Sequence, residues 1–447
     1  MLYIVSKKPI VHLCPAARPV WTTARRLRET STYVPRDRLC AMRRIALGLA
    51  GILLVSVAAF LYGSLFAERN TLALDAIDAC FLGSRAPTST AACLERTVDR
   101  LLVSYSTADL MRYVNATTTS QDVVLRCHPI GHIVGEQTYY KFKDVESTLS
   151  ACTSDCRSAC THGAIGAAVL DEMGETYPDD EIAHASEDEL KRLGRRYCDA
   201  GGTLCHAIGH VAYIASEDDA ASIDICAAVS EGSLREGCYQ GVFMERSGTF
   251  LNALFPSAEE RPADIRPGKY TYPCTSVPPD ARHACFLFLG AYQYPLFQAD
   301  NITSADARLS KSVATCASLS GRDRASCFEG IGTMRALFGF QSLESSEIHA
   351  LCRNMPTEED KSACVLGIVP QFHYVNRRGI FDYCDAIDTD EVQSVCYNAA
   401  FQYIEESLGK SDADAICKSH TECRARYEAF LQKRPAMPDY RFGLFGK

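Results

Sequence analysis

Most of the short patterns that mark familiar enzymes are missing from this chain. It has no GxxxxGK[ST] phosphate loop, no GxSxG nucleophile elbow and no GxGxxG dinucleotide turn. HExxH, the helical pair of zinc proteases, is absent. The haem-attachment sequence CxxCH is absent too, since Cys156 and Cys160 precede His162 at the wrong spacing. Nucleotide-driven chemistry, elbow-type serine hydrolysis, zincin proteolysis and covalently attached haem therefore lack their usual supports. There is a single Trp, Trp21, and little alternation of period two, which argues against a β-sheet. Basic residues form no stripe beyond the N-terminus and the net charge is −9, so no nucleic-acid partner is expected. At 47% hydrophobic and 23% charged residues, the chain is not a disordered one.

Cysteine is what the chain has in excess: 22 in 447 residues, spread along its length. A chain this long can bury an ample core without cross-links, and reducing compartments rarely retain so many thiols. Residues 45–66, IALGLAGILLVSVAAFLYGSLF, contain no charge and would reach about 33 Å as a helix, enough for one bilayer crossing. Residues 1–44 carry ten Lys and Arg against Glu29 and Asp37, so this basic leader is expected in the cytoplasm and the bulk of the chain outside, periplasmic or extracellular. Two alternatives stay open. The Val57-Ala58-Ala59 site would allow signal-peptide cleavage, although uncharged residues continue to Phe66. Met42-Arg43-Arg44 also resembles the start of an exported protein, which would make residues 1–41 an over-extended start or a targeting segment.

The exported part is expected to be all-α. A Cys/His-rich helical domain at 70–252 is followed by a Pro-rich linker at 253–282, a Cys-rich helical repeat domain at 283–433 and a polar tail at 434–447. The repeats are read as irregular helical hairpins, stapled by disulfides and stacked as in an α-solenoid. Their cysteines fall into close pairs: Cys80 with Cys93, Cys226 with Cys238, Cys274 with Cys285, Cys316 with Cys327, Cys352 with Cys364, Cys384 with Cys396, and Cys417 with Cys423. One continuous helix would hold Cys316 and Cys327 about 16 Å apart, too far for a disulfide, so the chain must turn between them. CYQGVF, CFEGIG, CVLGIV and CYNAAF place Gly241, Gly330, Gly367 and Ala399 where helices can approach closely.

The sharpest signal is a duplication. Cys127-His128-Pro129-Ile130-Gly131-His132 recurs 78 residues later as Cys205-His206-Ala207-Ile208-Gly209-His210. Thirty-three residues after each opening Cys stands a second landmark, Cys160-Thr161-His162-Gly163 and Cys238-Tyr239-Gln240-Gly241. Histidines at i and i+4 share a helix face and can chelate one ion. Two such helices, packed face to face about a pseudo-twofold axis, would bring His128, His132, His206 and His210 together. That donor set suits Zn, Cu or Fe, and could equally serve two metals or, less readily, a haem. His162, Glu136 and Glu245 are the candidate catalytic groups or additional ligands.

Six cysteines near these motifs stay unassigned: Cys127, Cys152, Cys156, Cys160, Cys198 and Cys205. Cys198 with Cys205 could close a tight loop, and Cys127 could reach Cys152 or Cys156. His184, His283, His349, His373 and His420 read as isolated surface or core residues. Two functions follow from this reading. One is a membrane-anchored metal-dependent enzyme or redox or metal-binding protein. The other is a helical-repeat scaffold that binds a protein or envelope component on its surface, with structural histidines.

Overall fold

A computed structural model describes residues 56, 75–80, 87–116, 121–153, 155–174, 187–229, 231–252, 268–339, 350–375, 379–408, 417 and 421–433. The expected membrane span at 45–66 lies outside these residues except for Ser56, and no described helix is long and apolar enough to cross a membrane. The leader at 1–44 and the tail at 434–447 also lie outside them.

Among the described residues the fold is helical throughout, as the scarcity of period-two patterns implies. α1 (Pro87–Ser104) and α2 (Thr107–Ala116) lead into α3 (Gln121–Phe142), α4 (Val145–Ala151) and α5 (Asp155–Glu172). The second copy of the duplicated motif lies in α6 (Glu187–Cys198), α7 (Gly202–Ser216), α8 (Asp219–Val229) and α9 (Gly232–Asn252). The chain continues through α10 (Arg282–Leu287), α11 (Leu289–Ala299), α12 (Ala305–Ala317) and α13 (Gly321–Gly339). It ends in α14 (Glu358–Val375), α15 (Gly379–Asp385), α16 (Asp390–Leu408) and α17 (Thr421–Lys433).

Burial follows composition. α6 (EDELKRLGRRYC) buries Leu190, Leu193, Gly194, Tyr197 and Cys198 on one face and leaves its charges outside, the pattern of a surface helix. α7 carries no charged residue and buries every residue from Cys205 to Ala212, so it is central. The long helices pack in a row, α3 on α5, α5 on α7, α7 on α9, α9 on α10, α10 on α13, α13 on α14, and α14 on α16. The row bends back on itself, because α13 also touches α3 and α14 touches α5. One large core runs from Ile165 to Phe430 and includes Cys274, Val277 and Ala281, so the described end of the Pro-rich stretch is packed. A smaller core joins α1, α2, α3 and the start of α5 around Val98, Leu110, Met111, Val134 and Ala159.

Disulfides pin helix ends along this row. Cys226–Cys238 ties α8 to α9, Cys316–Cys327 ties α12 to α13, and Cys384–Cys396 ties α15 to α16. Cys80–Cys93, Cys274–Cys285, Cys352–Cys364 and Cys417–Cys423 complete the close pairs. Each closes a short loop worth about 2–3 kcal/mol in the chain-entropy account. The six remaining described cysteines pair as Cys127–Cys156, Cys152–Cys160 and Cys198–Cys205. Charge pairs add a second link between hairpins, as where Arg324 Nε and Nη2 donate to Asp360 Oδ1 and Oδ2 at 2.8 and 2.7 Å.

The helices of each hairpin approach until backbone meets backbone. A Cβ on Gly241 would lie 2.0 Å from the His206 carbonyl oxygen, and one on Gly163 would lie 1.9 Å from that of His132. His206 corresponds to His128 in the duplication, so the two copies are not in the same register. In the first copy, α5 sits one helical turn further along α3 than α9 sits along α7.

Candidate metal centre

The two HxxxH helices are not each other's main partner, contrary to the face-to-face packing expected from the duplication. α5 packs between them, against α3 on one side and α7 on the other, and carries His162 into the gap. The extra turn of register in the first copy is what brings His162 there. Its ring centroid lies 5.5 Å from those of both His128 and His132, and 4.8 and 5.4 Å from those of His206 and His210. One nitrogen from each of His128, His132, His162 and His210 lies within 4.8 Å of the others. His206 adjoins this set through His210 Nε2, at 3.1 Å. All five duplicated and candidate histidines are thus gathered, although the compact four contain His162 and leave out His206.

Their surroundings fix which nitrogens face inward. His128 Nδ1 lies 2.9 Å from the Cys156 carbonyl oxygen, and His206 Nδ1 lies 3.1 Å from that of Gly237. A carbonyl can only accept, so both Nδ1 atoms carry the proton and both Nε2 atoms present a lone pair. His210 Nδ1 lies 2.8 Å from the Glu245 carboxylate, which accepts its hydrogen bond and orients the ring. His128 Nε2 and His132 Nε2 are 3.0 Å apart. His162 Nδ1 is buried without a hydrogen-bond partner. Burial first, and then the neighbouring imidazoles, hold His132, His162 and His206 well below the usual histidine pKa, so they stay neutral and able to ligate.

Glu245 thus acts on His210 from outside the imidazole set. Glu136 stands near Glu95 of α1, and burial, then that second carboxylate, push its carboxyl up to about 8. All twenty described cysteines are in disulfides, so they offer no thiolate ligand.

A second buried polar group was not evident from spacing. His283, read above as isolated, sits between Glu236 at 2.6 Å from Nδ1 and Glu329 at 3.2 Å from Nε2. Burial alone would lower its pKa, but the two carboxylates reverse this and raise it to about 9. Gln240 Nε2 also donates to Glu236. The sequence does hold a signal for this seam. His162, Gln240 and Glu329 all stand between a Cys two residues before and a Gly one residue after. His12, His184, His349 and His420 lie outside the described residues, as does the side chain of His373.

Comparison with protein-family models, curated proteins and solved structures finds no match to this chain. The histidine cluster and the disulfides, which mark an oxidising, extracytoplasmic setting, are therefore the basis for a function.

Proposed function

We propose that the chain is an extracytoplasmic metalloprotein, anchored by residues 45–66, whose functional centre is a transition-metal site on the histidines of α3, α5 and α7. One observation carries this reading. One nitrogen from each of His128, His132, His162 and His210 lies within 4.8 Å of the others, and His206 Nε2 adjoins them 3.1 Å from His210 Nε2. A cation among these nitrogens would use donors that the fold has already gathered. Burial and the neighbouring imidazoles hold His132, His162 and His206 neutral, which favours a metal ion over a proton among them. A donor set of imidazoles without thiolate or carboxylate suits Zn or Cu, with Fe next. The Cys156 and Gly237 carbonyls and Glu245 orient the rings as outer partners do at metal sites. Bound water on such an ion would supply a nucleophile, or the ion a redox centre.

The test is metal content. The purified full chain should hold metal well above background, and a variant with His128, His132, His206 and His210 all changed to Ala should not. Equal content in both, with the fold intact by circular dichroism, rejects the proposal. Sequencing the mature N-terminus tests the anchor, since a start at Phe60 would mean a released protein.

One observation favours a second reading, the helical-repeat scaffold with structural histidines. In the Glu236–His283–Glu329 group a buried histidine is held by carboxylates of the chain itself. There, however, both imidazole nitrogens face carboxylates. In the five-histidine cluster, nitrogen faces nitrogen.

A further inference from the structure

We infer that the centre holds two metal ions, one on each HxxxH pair, with His162 between them; this rests on the metal-centre reading above. Each pair is a complete chelate. The Nε2 atoms of His128 and His132 are 3.0 Å apart, and those of His206 and His210 are 3.1 Å apart. Two imidazoles on one ion, with metal–nitrogen bonds of about 2.0–2.1 Å, place their nitrogens about 2.9–3.4 Å apart. Each pair also has its own outer partner from its own hairpin, the Cys156 carbonyl for the first and the Gly237 carbonyl for the second.

A single ion does not use this set well. The compact four draw on three residues of the first copy and only His210 of the second. That arrangement leaves His206, a residue with 0% exposure, outside the ligand set although its Nε2 lies 3.1 Å from that of His210. Because His210 Nδ1 is committed to Glu245, its Nε2 can serve only one ion. Placing that ion on the His206–His210 pair and another on the His128–His132 pair brings all four duplicated histidines into use. His162 is equidistant from both rings of the first pair and close to both rings of the second, and its Nδ1 has no hydrogen-bond partner.

The charge balance names the ligand class. Two divalent cations would be ringed by imidazoles, with the Glu245 carboxylate bonded to one of these rings. Such a centre is strongly positive and would take an anionic oxygen ligand across both ions, either hydroxide or a small oxyanion.

The experiment is metal stoichiometry with Cu(II) as the probe. The oxidised full chain is loaded with excess Cu(II), desalted, and assayed for copper per chain and for spin by electron paramagnetic resonance. Two coppers per chain are expected, with spin well below the copper content because neighbouring Cu(II) ions couple. The double variants H128A/H132A and H206A/H210A should each retain one copper with its full spin. One copper per chain in the wild type overturns the two-ion inference and leaves the metal centre standing. No copper overturns both. Two coppers with full, uncoupled spin overturn the shared centre. The wild-type measurements decide the matter even where a double variant fails to fold.

Discussion

His210 is held from both sides, by Glu245 on Nδ1 and by the convergent nitrogens on Nε2. Glu245 is a carboxylate that orients a ligand of the centre, and this gives it a measurable weight. Glu245→Ala should lower metal affinity by about 10–100-fold without removing the site. Competition against a chromogenic chelator reads this, and an unchanged affinity would contradict the role assigned to Glu245. His283 makes a separate prediction. Its pKa is raised from about 6.5 in an unfolded chain to about 9, so its stabilisation is complete below pH 6.5 and is lost as pH rises through 9. Wild type should exceed His283→Gln in urea-unfolding free energy by a few kcal/mol at pH 6, and by clearly less at pH 10. A difference that is the same at both pH values would mean that the Glu236–His283–Glu329 group is not held by charge.

Helix pairing sets the geometry that the histidines use. In α5, Gly163 lies against the His132 backbone, where a Cβ would come within 1.9 Å of the carbonyl oxygen. Gly166, in the same helix, has room: its Cβ would meet only Val211 Cγ2, at 3.9 Å. Gly163→Ala should therefore cost about 2 kcal/mol or more by forcing α3 and α5 apart, and should weaken metal binding by displacing His162. Gly166→Ala should be neutral or stabilising by up to about 1 kcal/mol, through helix propensity. Equal effects at the two positions would refute the close approach. At this scale the sequence was partly legible. Helices, the 78-residue duplication and Gly241, Gly330 and Gly367 as contact points could all be read from spacing and side-chain size. The one-turn register difference between the copies could not, because the same Cys and Gly landmarks stand at the same spacing in both. Nor could the packing of α5 between the two motif helices, which brings in His162, because it depends on how the hairpins stack.

Across the whole molecule, the disulfides and the bent row of helices act together. Ten bridges, at about 2–3 kcal/mol each in the chain-entropy account, exceed the net stability of about 5–15 kcal/mol usual for a domain. The fully reduced and alkylated chain should therefore keep helical signal but lose its cooperative thermal transition. A reduced chain melting cooperatively near the oxidised midpoint would show that the core alone suffices. The close pairs were readable because a turn-rich loop lies between each two cysteines. Pairing among Cys127, Cys152, Cys156 and Cys160 depends on how α3, α4 and α5 pack, and spacing does not encode that. The bend that brings α13 onto α3 and α14 onto α5 is likewise a long-range property with no local signal.

X-ray absorption at the metal edge of the loaded, oxidised full chain tests the central claim most directly, because it reports the donor atoms themselves. The account predicts a first shell of nitrogen and oxygen at about 2.0–2.1 Å, with the outer scattering of several imidazole rings and no sulfur. A shell containing sulfur at about 2.3 Å, or one without imidazole scattering, would contradict it.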